Sequence, residues 1–323
     1  MKAIMFEKYG PPEVLKVTEI AKPIPTDDQL LVKVHSTAVT PMSYRIRSGN
    51  RGRDAPLWPI TRLMLGRKPK QQILEGEIGG EIVAIGKNIT KFKTGDKIFG
   101  MALASNAEYT LCSEKSKIVT MPSNISFDEG SSIAFGGLTS MYYLRTRATI
   151  QKGQKILIYG ASGGVGVYAI QLAKIFGAEV TAVCSGKNLE LVRSLGADHV
   201  IDYTKEDFWK EKAQKYDVVF DTVGKTSFSK GKKVLTKNGM FLETVPGYRF
   251  FLRMLWSNKI GKRKIIFGIG GSIEDLEDLK RFVESGNLKI VIDRVYPLEQ
   301  VVDAHKYVEQ GHKVGSVVLK VAQ

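Results

Sequence analysis

Four glycines and an alanine crowd the stretch Gly160-Ala161-Ser162-Gly163-Gly164-Val165-Gly166. Ala161, Gly163 and Gly166 keep the spacing of the dinucleotide fingerprint, with alanine in place of its first glycine. Small residues here let the backbone turn tightly against a pyrophosphate, and a helix starting at Gly166 would offer it free N–H groups and the positive end of a dipole. Residues 161 to 166 are therefore candidate cofactor contacts; the alternative is a purely structural turn, because glycines also punctuate ordinary ones. About twenty residues on, where NAD-binding folds carry an Asp or Glu for the ribose 2′-hydroxyl, the chain reads Cys184-Ser185-Gly186-Lys187-Asn188. No carboxylate is there to repel a 2′-phosphate, Ser185 can donate a hydrogen bond and Lys187 supplies positive charge, so the stretch predicts NADP(H). The alternative is that Ser185 to Asn188 merely cap the next helix.

Such a turn must be held between a strand and a helix. Ile156 to Tyr159 is a β-branched apolar run, and Val165, Ala169, Leu172, Ala173 and Phe176 form a helical stripe closed by Gly177. Val180 to Val183 is a second apolar run, which completes a βαβ unit. Alternation continues through a helix at 189–195, strands at 199–201 and 217–221, a helix at 228–235 and strands at 240–245 and 265–269. That pattern predicts a doubly wound parallel sheet. The first 121 residues read differently, as a Gly-rich, mainly antiparallel β region with apolar runs at 30–34, 78–85 and 97–101. Between the two lie a helix start at Ser126-Phe127-Asp128-Glu129 and a second helix opening at Gly136-Gly137. A helical stripe at Leu276, Leu279, Phe282 and Val283, a strand at 290–295, a helix at 298–309 and a strand at 316–321 follow.

Composition sets the frame. The 323 residues are 43% hydrophobic, enough for two cores, and no run approaches the roughly 18 apolar residues of a membrane span. Two cysteines, Cys112 and Cys184, make no disulfide framework, which suits a reducing cytoplasm. Lys and Arg outnumber Asp and Glu 48 to 33, for a net charge of +15. The lysines are scattered and no nucleic-acid motif accompanies them, so the reading is a solvated basic surface with no nucleic-acid partner. Two segments, 48–72 and 246–264, combine basic with apolar and aromatic residues. They would suit a mobile loop, a cover over a cleft, a membrane contact or an ordinary amphipathic helix with its loop.

Six pieces in order carry a family resemblance: residues 40–49 (TPMSYRIRSG), 77–100 (EIGGEIVAIGKNITKFKTGDKIFG), 136–140 (GGLTS), 160–166 (GASGGVG), 195–203 (LGADHVIDY) and 221–224 (DTVG). The chain resembles the zinc-independent medium-chain dehydrogenases/reductases of the quinone oxidoreductase and ζ-crystallin group over nearly its whole length. The resemblance implies an α/β protein with a GroES-like catalytic domain at 1–121 and 271–323 and a Rossmann NADP(H)-binding domain at 122–270. It places Tyr203 beside Ser185 and Lys187 at the 2′-phosphate, and Thr139, Val223 and Gly224 along the nicotinamide. The zinc-dependent relatives of this architecture have a catalytic Cys at about Thr40 and a His at Gly76, with a Glu kept at Glu77, and a four-cysteine lobe that is missing here. Without thiolate or imidazole at those places no tetrahedral N/S site can be assembled, so no metal is expected.

Without a Lewis acid, a conjugated enone or a quinone is a less demanding hydride acceptor than a plain ketone, because the developing charge spreads to an oxygen that hydrogen-bond donors stabilise. The resemblance therefore implies an NADPH-dependent quinone or enone oxidoreductase acting on a small conjugated carbonyl. Where the family often has Asn, Asp and an aromatic, this chain has Thr40, Ser43, Tyr44 and Arg45. Tyr44 is the first candidate for a substrate-side donor, followed by Arg45 and Ser43; the alternative is ordinary loop residues. An alcohol or enoyl-thioester reductase, or an NADPH-holding protein that binds RNA, remain the rival functions, and a homodimer stays open. The segments at 48–72 and 246–264 would form a lid, with Trp58, Leu63, Phe250, Phe251 or Trp256 as apolar walls for a flat substrate.

Overall fold

The computed structural model describes residues 1–49, 66, 68–69, 72–210, 215–245, 264–268 and 270–321. Most of the two basic segments lies outside these residues, and with it the expected lid: Trp58, Leu63, Phe250, Phe251 and Trp256 all fall there.

β1 (Lys2–Met5) and β2 (Lys16–Glu19) form a small antiparallel pair. β3 (Leu30–Val39), β4 (Gly76–Ile85), β5 (Lys97–Ala102), β6 (Tyr109–Cys112) and β7 (Ile118–Thr120) then build an antiparallel sheet. β3 is its centre and is buried along most of its length, with Leu30, Val32, Val34 and Val39 in the core of this unit. In the second half of the chain six strands lie parallel: β8 (Lys155–Tyr159), β9 (Glu179–Cys184), β10 (His199–Asp202), β11 (Tyr216–Asp221), β12 (Leu235–Glu243) and β13 (Lys264–Ile266). Their order, β10-β9-β8-β11-β12-β13, reverses direction between β8 and β11, which is where open α/β sheets bind ligands. The chain then returns to the first sheet with β14 (Ile292–Pro297) and β15 (Ser316–Lys320), and β15 pairs antiparallel with residues 36–39 of β3.

The fingerprint helix, Gly166–Ile175, is more deeply buried than its stripe predicts: Tyr168, Ile170 and Gln171 are covered as well. The reason is that it is sandwiched between the parallel sheet and the helix Ala134–Met141, so it has no polar outer face. The expected start at Ser126 is a capping box, with Ser126 N–H donating to Glu129 Oε2 at 2.8 Å, although the helix it opens, Phe127–Gly130, is short. The helix expected at Gly136 begins two residues earlier at Ala134 and continues into a π-helical turn, Tyr142–Arg147. β12 begins at Leu235 because Leu235 pairs with Tyr216 as soon as the preceding helix, Phe228–Val234, ends.

The helix Ile273–Glu284 lies at the seam of the two units. Its Leu279 fills the space beside Gly137, where any side chain would collide with it, and its Lys280 donates to Thr120 Oγ1 of β7 at 2.6 Å. Leu276, Leu279 and Val283 share one core with Leu138, Met141 and Phe220, so this helix packs on the Rossmann side of residue 271 as well as against the antiparallel sheet.

Candidate active site

One cavity of about 680 Å³ runs between the two sheets. Its floor is the turn after β8. Gly160 has φ +78°, a conformation that costs glycine little, and its N–H donates to Val183 O at 3.1 Å, folding the turn back over β9. A side chain at Gly166 would run into Gly160 O, so helix and turn sit in direct backbone contact. Ser162, Gly163, Gly164 and Val165 line the cavity, whereas Ala161 and Gly166 shape the turn from beneath without reaching the wall. The ten-residue helix behind them ends at the cavity with its N-terminus, a fitting cradle for a pyrophosphate.

At one end of the cavity stand Ser185, Lys187, Asn188 and Tyr203. Neither Ser185 nor Asn188 makes a side-chain cap for the helices that follow them, which leaves the Ser185 hydroxyl for a ligand, while Asn188 Nδ2 donates to Ser162 Oγ at 2.9 Å and ties this end to the glycine turn. The structure also brings up a carboxylate that the stretch 184–188 does not contain. Asp202 lies with Oδ2 beneath Gly186, but its Oδ1 accepts from both Thr204 N–H at 3.0 Å and Thr204 Oγ1 at 2.7 Å, and it is not part of the cavity wall. Those hydrogen bonds hold its pKa below the ordinary carboxylate value. Tyr203 is 44% exposed and its ring lies 6.2 Å from that of Tyr159.

Further along, Thr139 and Val223 line the wall. Thr139 Oγ1 donates to Phe135 O at 2.6 Å. Gly224 does not reach the cavity; its N–H, like those of Val223 and Thr226, donates to the buried carboxylate of Asp221, which organises the turn after β11. Burial pushes the Asp221 pKa up and the three N–H groups pull it back. Opposite, Tyr143 in the π-helical turn donates to Glu243 O at 2.7 Å and accepts from Gly268 N–H at 3.2 Å, pinning the segment that carries Gly268 and Gly270 along the cavity.

The helix Pro41–Ser48 supplies the remaining wall. Its capping box is Thr40 with Ser43, the two hydroxyls 3.0 Å apart, and Ser43 is fully buried by it. Ser43 is thus not a wall residue, because its hydroxyl is spent on the helix start; Tyr44 and Arg45 do line the cavity, half-buried. One turn on, the buried guanidinium of Arg47 pairs with Glu309 and lies 3.4 Å from His305 Nδ1, clamping this helix to the helix Val301–Glu309. Burial and the Arg47 charge push the pKa of His305 down to about 3.

One wall group carries no signal in the local motifs. Lys313 arrives from the far end of the chain, where Gly315 N–H donates to Ser162 O at 2.9 Å, and its ammonium lies over Gly164, bonded to Gly315 O. Burial lowers its pKa to about 8 against the pull of Glu77 and Asp293. Glu77 sits in the opposite wall, accepting Phe135 N–H at 2.8 Å, and burial raises it to about 7. Around the position of the zinc ligands of relatives, Thr40 is engaged in its cap and Gly76 has no side chain; a carboxylate alone is a poor donor set for a tetrahedral N/S metal. Among the described residues no three His, Cys, Asp or Glu side chains group together. His35 is stacked on Phe127, His199 borders Glu179, His305 is in the Arg47 clamp and only His312 reaches the cavity.

The residues present fit NADP(H) at both charged ends: a glycine cradle with a helix N-terminus and Lys313, then Ser185 and Lys187 beyond it. Comparison with known proteins agrees. Residues 26–156 match the alcohol dehydrogenase GroES-like domain and residues 195–319 the zinc-binding dehydrogenase domain. The chain is 34% identical to a 2-methylene-furan-3-one reductase of Solanum lycopersicum, over 99% of this chain and 79% of that one. It is 33% identical to a chloroplastic NADPH-dependent alkenal/one oxidoreductase of Arabidopsis thaliana, with the same coverage. Among solved structures, the quinone oxidoreductase from Coxiella burnetii superposes with a TM-score of 0.88 at 29% identity, covering 100% of this chain and 99% of its own.

Proposed function

The chain belongs to the zinc-independent, quinone oxidoreductase group of the medium-chain dehydrogenases/reductases, and from that premise we propose that it is an NADPH-dependent reductase of quinones or α,β-unsaturated carbonyls. The observation that carries the reading is the cavity that joins a phosphate cradle and a cationic far end, with no carboxylate in its wall there, to a hydroxyl and a cation at Tyr44 and Arg45. When bound, NADPH supplies a hydride to an electrophilic carbon.

The protein's own residues do the rest. Ser185 and Lys187 select the phosphorylated ribose, and Lys313 with the helix N-terminus neutralises the pyrophosphate. Thr139, Val223, Gly268 and Gly270 hold a flat ring between them. Tyr44, from the opposite domain, directs its hydroxyl at the substrate oxygen, where negative charge develops, and Arg45 reinforces it. Closing these walls over the substrate keeps water from competing for the hydride.

No helix among the described residues is long and apolar enough to cross a membrane, and both cysteines are free and buried, in keeping with a cytoplasmic protein. A homodimer is the assembly to look for by sedimentation. A second reading has one observation in its favour: Arg45 and the exposed Lys225, both on the cavity wall, have no carboxylate partner among the described residues, which suits an enoyl thioester on an anionic carrier. NADPH oxidation followed over a panel of quinones, enones and enoyl thioesters tests both. Turnover of enones or quinones establishes the first reading, and turnover confined to thioesters the second. NADPH binding without any turnover, together with salt-dependent RNA binding, would reject both.

A further inference from the structure

Hydride addition to an enone or quinone leaves an anion that must gain a proton, and the cavity holds a second acid besides the Tyr44 phenol. Two carboxyl side chains line it. Glu309 is paired with Arg47, which leaves Glu77. Glu77 lies at the start of β4, where its carbonyl accepts from Thr37 Oγ1 of β3 at 2.7 Å, three residues before Thr40, the N-cap of the helix that carries Tyr44. Its Oε1 accepts Phe135 N–H in the first turn of the helix Ala134–Met141, whose Thr139 is one turn further along the same wall. The side chain is therefore fixed at one oxygen, and the carboxyl lines the chamber shared by Tyr44 and Thr139.

Resting on the reductase reading above, we propose that Glu77 is a catalytic acid: its carboxyl proton passes to the substrate anion formed when hydride arrives. The hydride's electron pair forms a C–H bond at the electrophilic carbon, the π pair shifts to oxygen, and the Glu77 O–H bond breaks as the new O–H or C–H bond forms on the substrate. The cofactor is oxidised by two electrons and the substrate reduced by two. The carboxylate left behind takes its next proton from water. The surroundings suit both states of the acid. Burial among Tyr168, Phe135 and β4 disfavours charge at rest and places the Glu77 pKa at about 7, while the Phe135 N–H, the positive end of that helix and the Lys313 ammonium stabilise the carboxylate after the proton has left. Around the carboxyl the charged and titratable neighbours are Lys313 from the returning segment and Tyr168 from the fingerprint helix; Asp293 on β14 acts on Lys313, and Glu129 on Tyr168. Tyr168 is itself committed, donating to Ser132 O at 2.8 Å.

A purely structural role is the competing explanation, since Glu77 also serves a helix N-terminus. Glu77→Gln separates them, because the amide oxygen still accepts Phe135 N–H but has no acid proton to give. For the proposal, the variant keeps wild-type NADPH affinity and melting temperature, loses about a hundredfold in kcat, and loses the fall of wild-type kcat at alkaline pH. A variant within a few-fold of wild-type kcat, or one that is slow yet keeps the same alkaline fall, overturns it. Cofactor-free wild-type protein with 13C-labelled glutamate carboxyls gives a readout independent of turnover, and it still decides if the variant does not fold. A glutamate titrating near neutrality at the same pH as the fall in kcat supports the role, and a kcat flat across that titration rejects it. Wild-type protein inert towards every quinone, enone and thioester would reject the reductase reading itself, whereas an active wild type with an indifferent Gln variant sinks this inference alone.

Discussion

On the proposed reading Lys187 decides cofactor choice, since it lines the cavity close to a carboxylate, Asp202, whose Oδ1 is taken up by Thr204. Because Lys187 is exposed, solvent screens part of its contact, and Lys187→Ala should weaken NADPH by about 1–2 kcal/mol while NADH binding stays nearly unchanged. Equal losses for both cofactors in a fluorescence titration would place Lys187 elsewhere. A second substitution acts on the other end of the chamber. Tyr44→Phe should lower kcat with little change in NADPH affinity, a split that steady-state kinetics and direct cofactor binding resolve together. At this scale spacing along one βαβ unit sufficed to locate Ser185, Lys187, Gly163 and Gly164, all of which line the cavity. It was blind to Lys313, which reaches the wall through tertiary folding, and to the packing of Asp202 under Gly186. Ser43 misled for the same reason: a hydroxyl next to Tyr44 in sequence is, in the helix, a cap partner of Thr40.

Between the helices Pro41–Ser48 and Val301–Glu309, the contact of Arg47 with His305 gives the wall carrying Tyr44 its pH behaviour. His305 is neutral in the folded protein, with its pKa lowered to about 3 from 6.5. A group depressed in this way lends stability that is fully present above about pH 6.5 and is lost as pH falls towards 3, because protonating His305 sets a second positive charge beside Arg47. Glu77 works in the opposite sense. Raised from 4.5 to about 7, it favours the folded protein below about pH 4.5 and loses that contribution as pH rises through 7. Urea midpoints measured between pH 4 and 7 should therefore fall less at the acid end in His305→Gln, whose amide can still face Arg47 but gains no proton; identical acid sensitivity would show that other groups control it. Most helix and strand identities were legible from periodicity, the helix start at Ser126 among them, but the helix Pro41–Ser48 was missed. The seam position of Ile273–Glu284 was not legible, because a stripe of Leu276, Leu279 and Val283 says that one face is covered but not by which neighbour.

Across the whole molecule, the cavity touches both sheets, so anything that fills it binds the folded state at the junction of the two units. NADPH at about a hundred times its Kd should add roughly 2.7 kcal/mol to unfolding, with NADH at the same concentration adding less; no shift with either cofactor would contradict the assigned cleft. The junction depends on one late stretch of chain. Gly315 bonds to Ser162 in the cofactor turn, and β15 shares the edge of β3 with β6, which takes residues 30–33 while β15 takes residues 36–39. During synthesis, all six parallel strands have been made before residues 313–320 exist, so the nucleotide fold can assemble on the ribosome with its phosphate turn uncovered and half of one β3 edge unpaired. Only when that last strand slots in are edge and turn closed together. A nascent chain stalled or clipped before residue 315 is left with half of one β3 edge unpaired and the Ser162 carbonyl without its Gly315 partner.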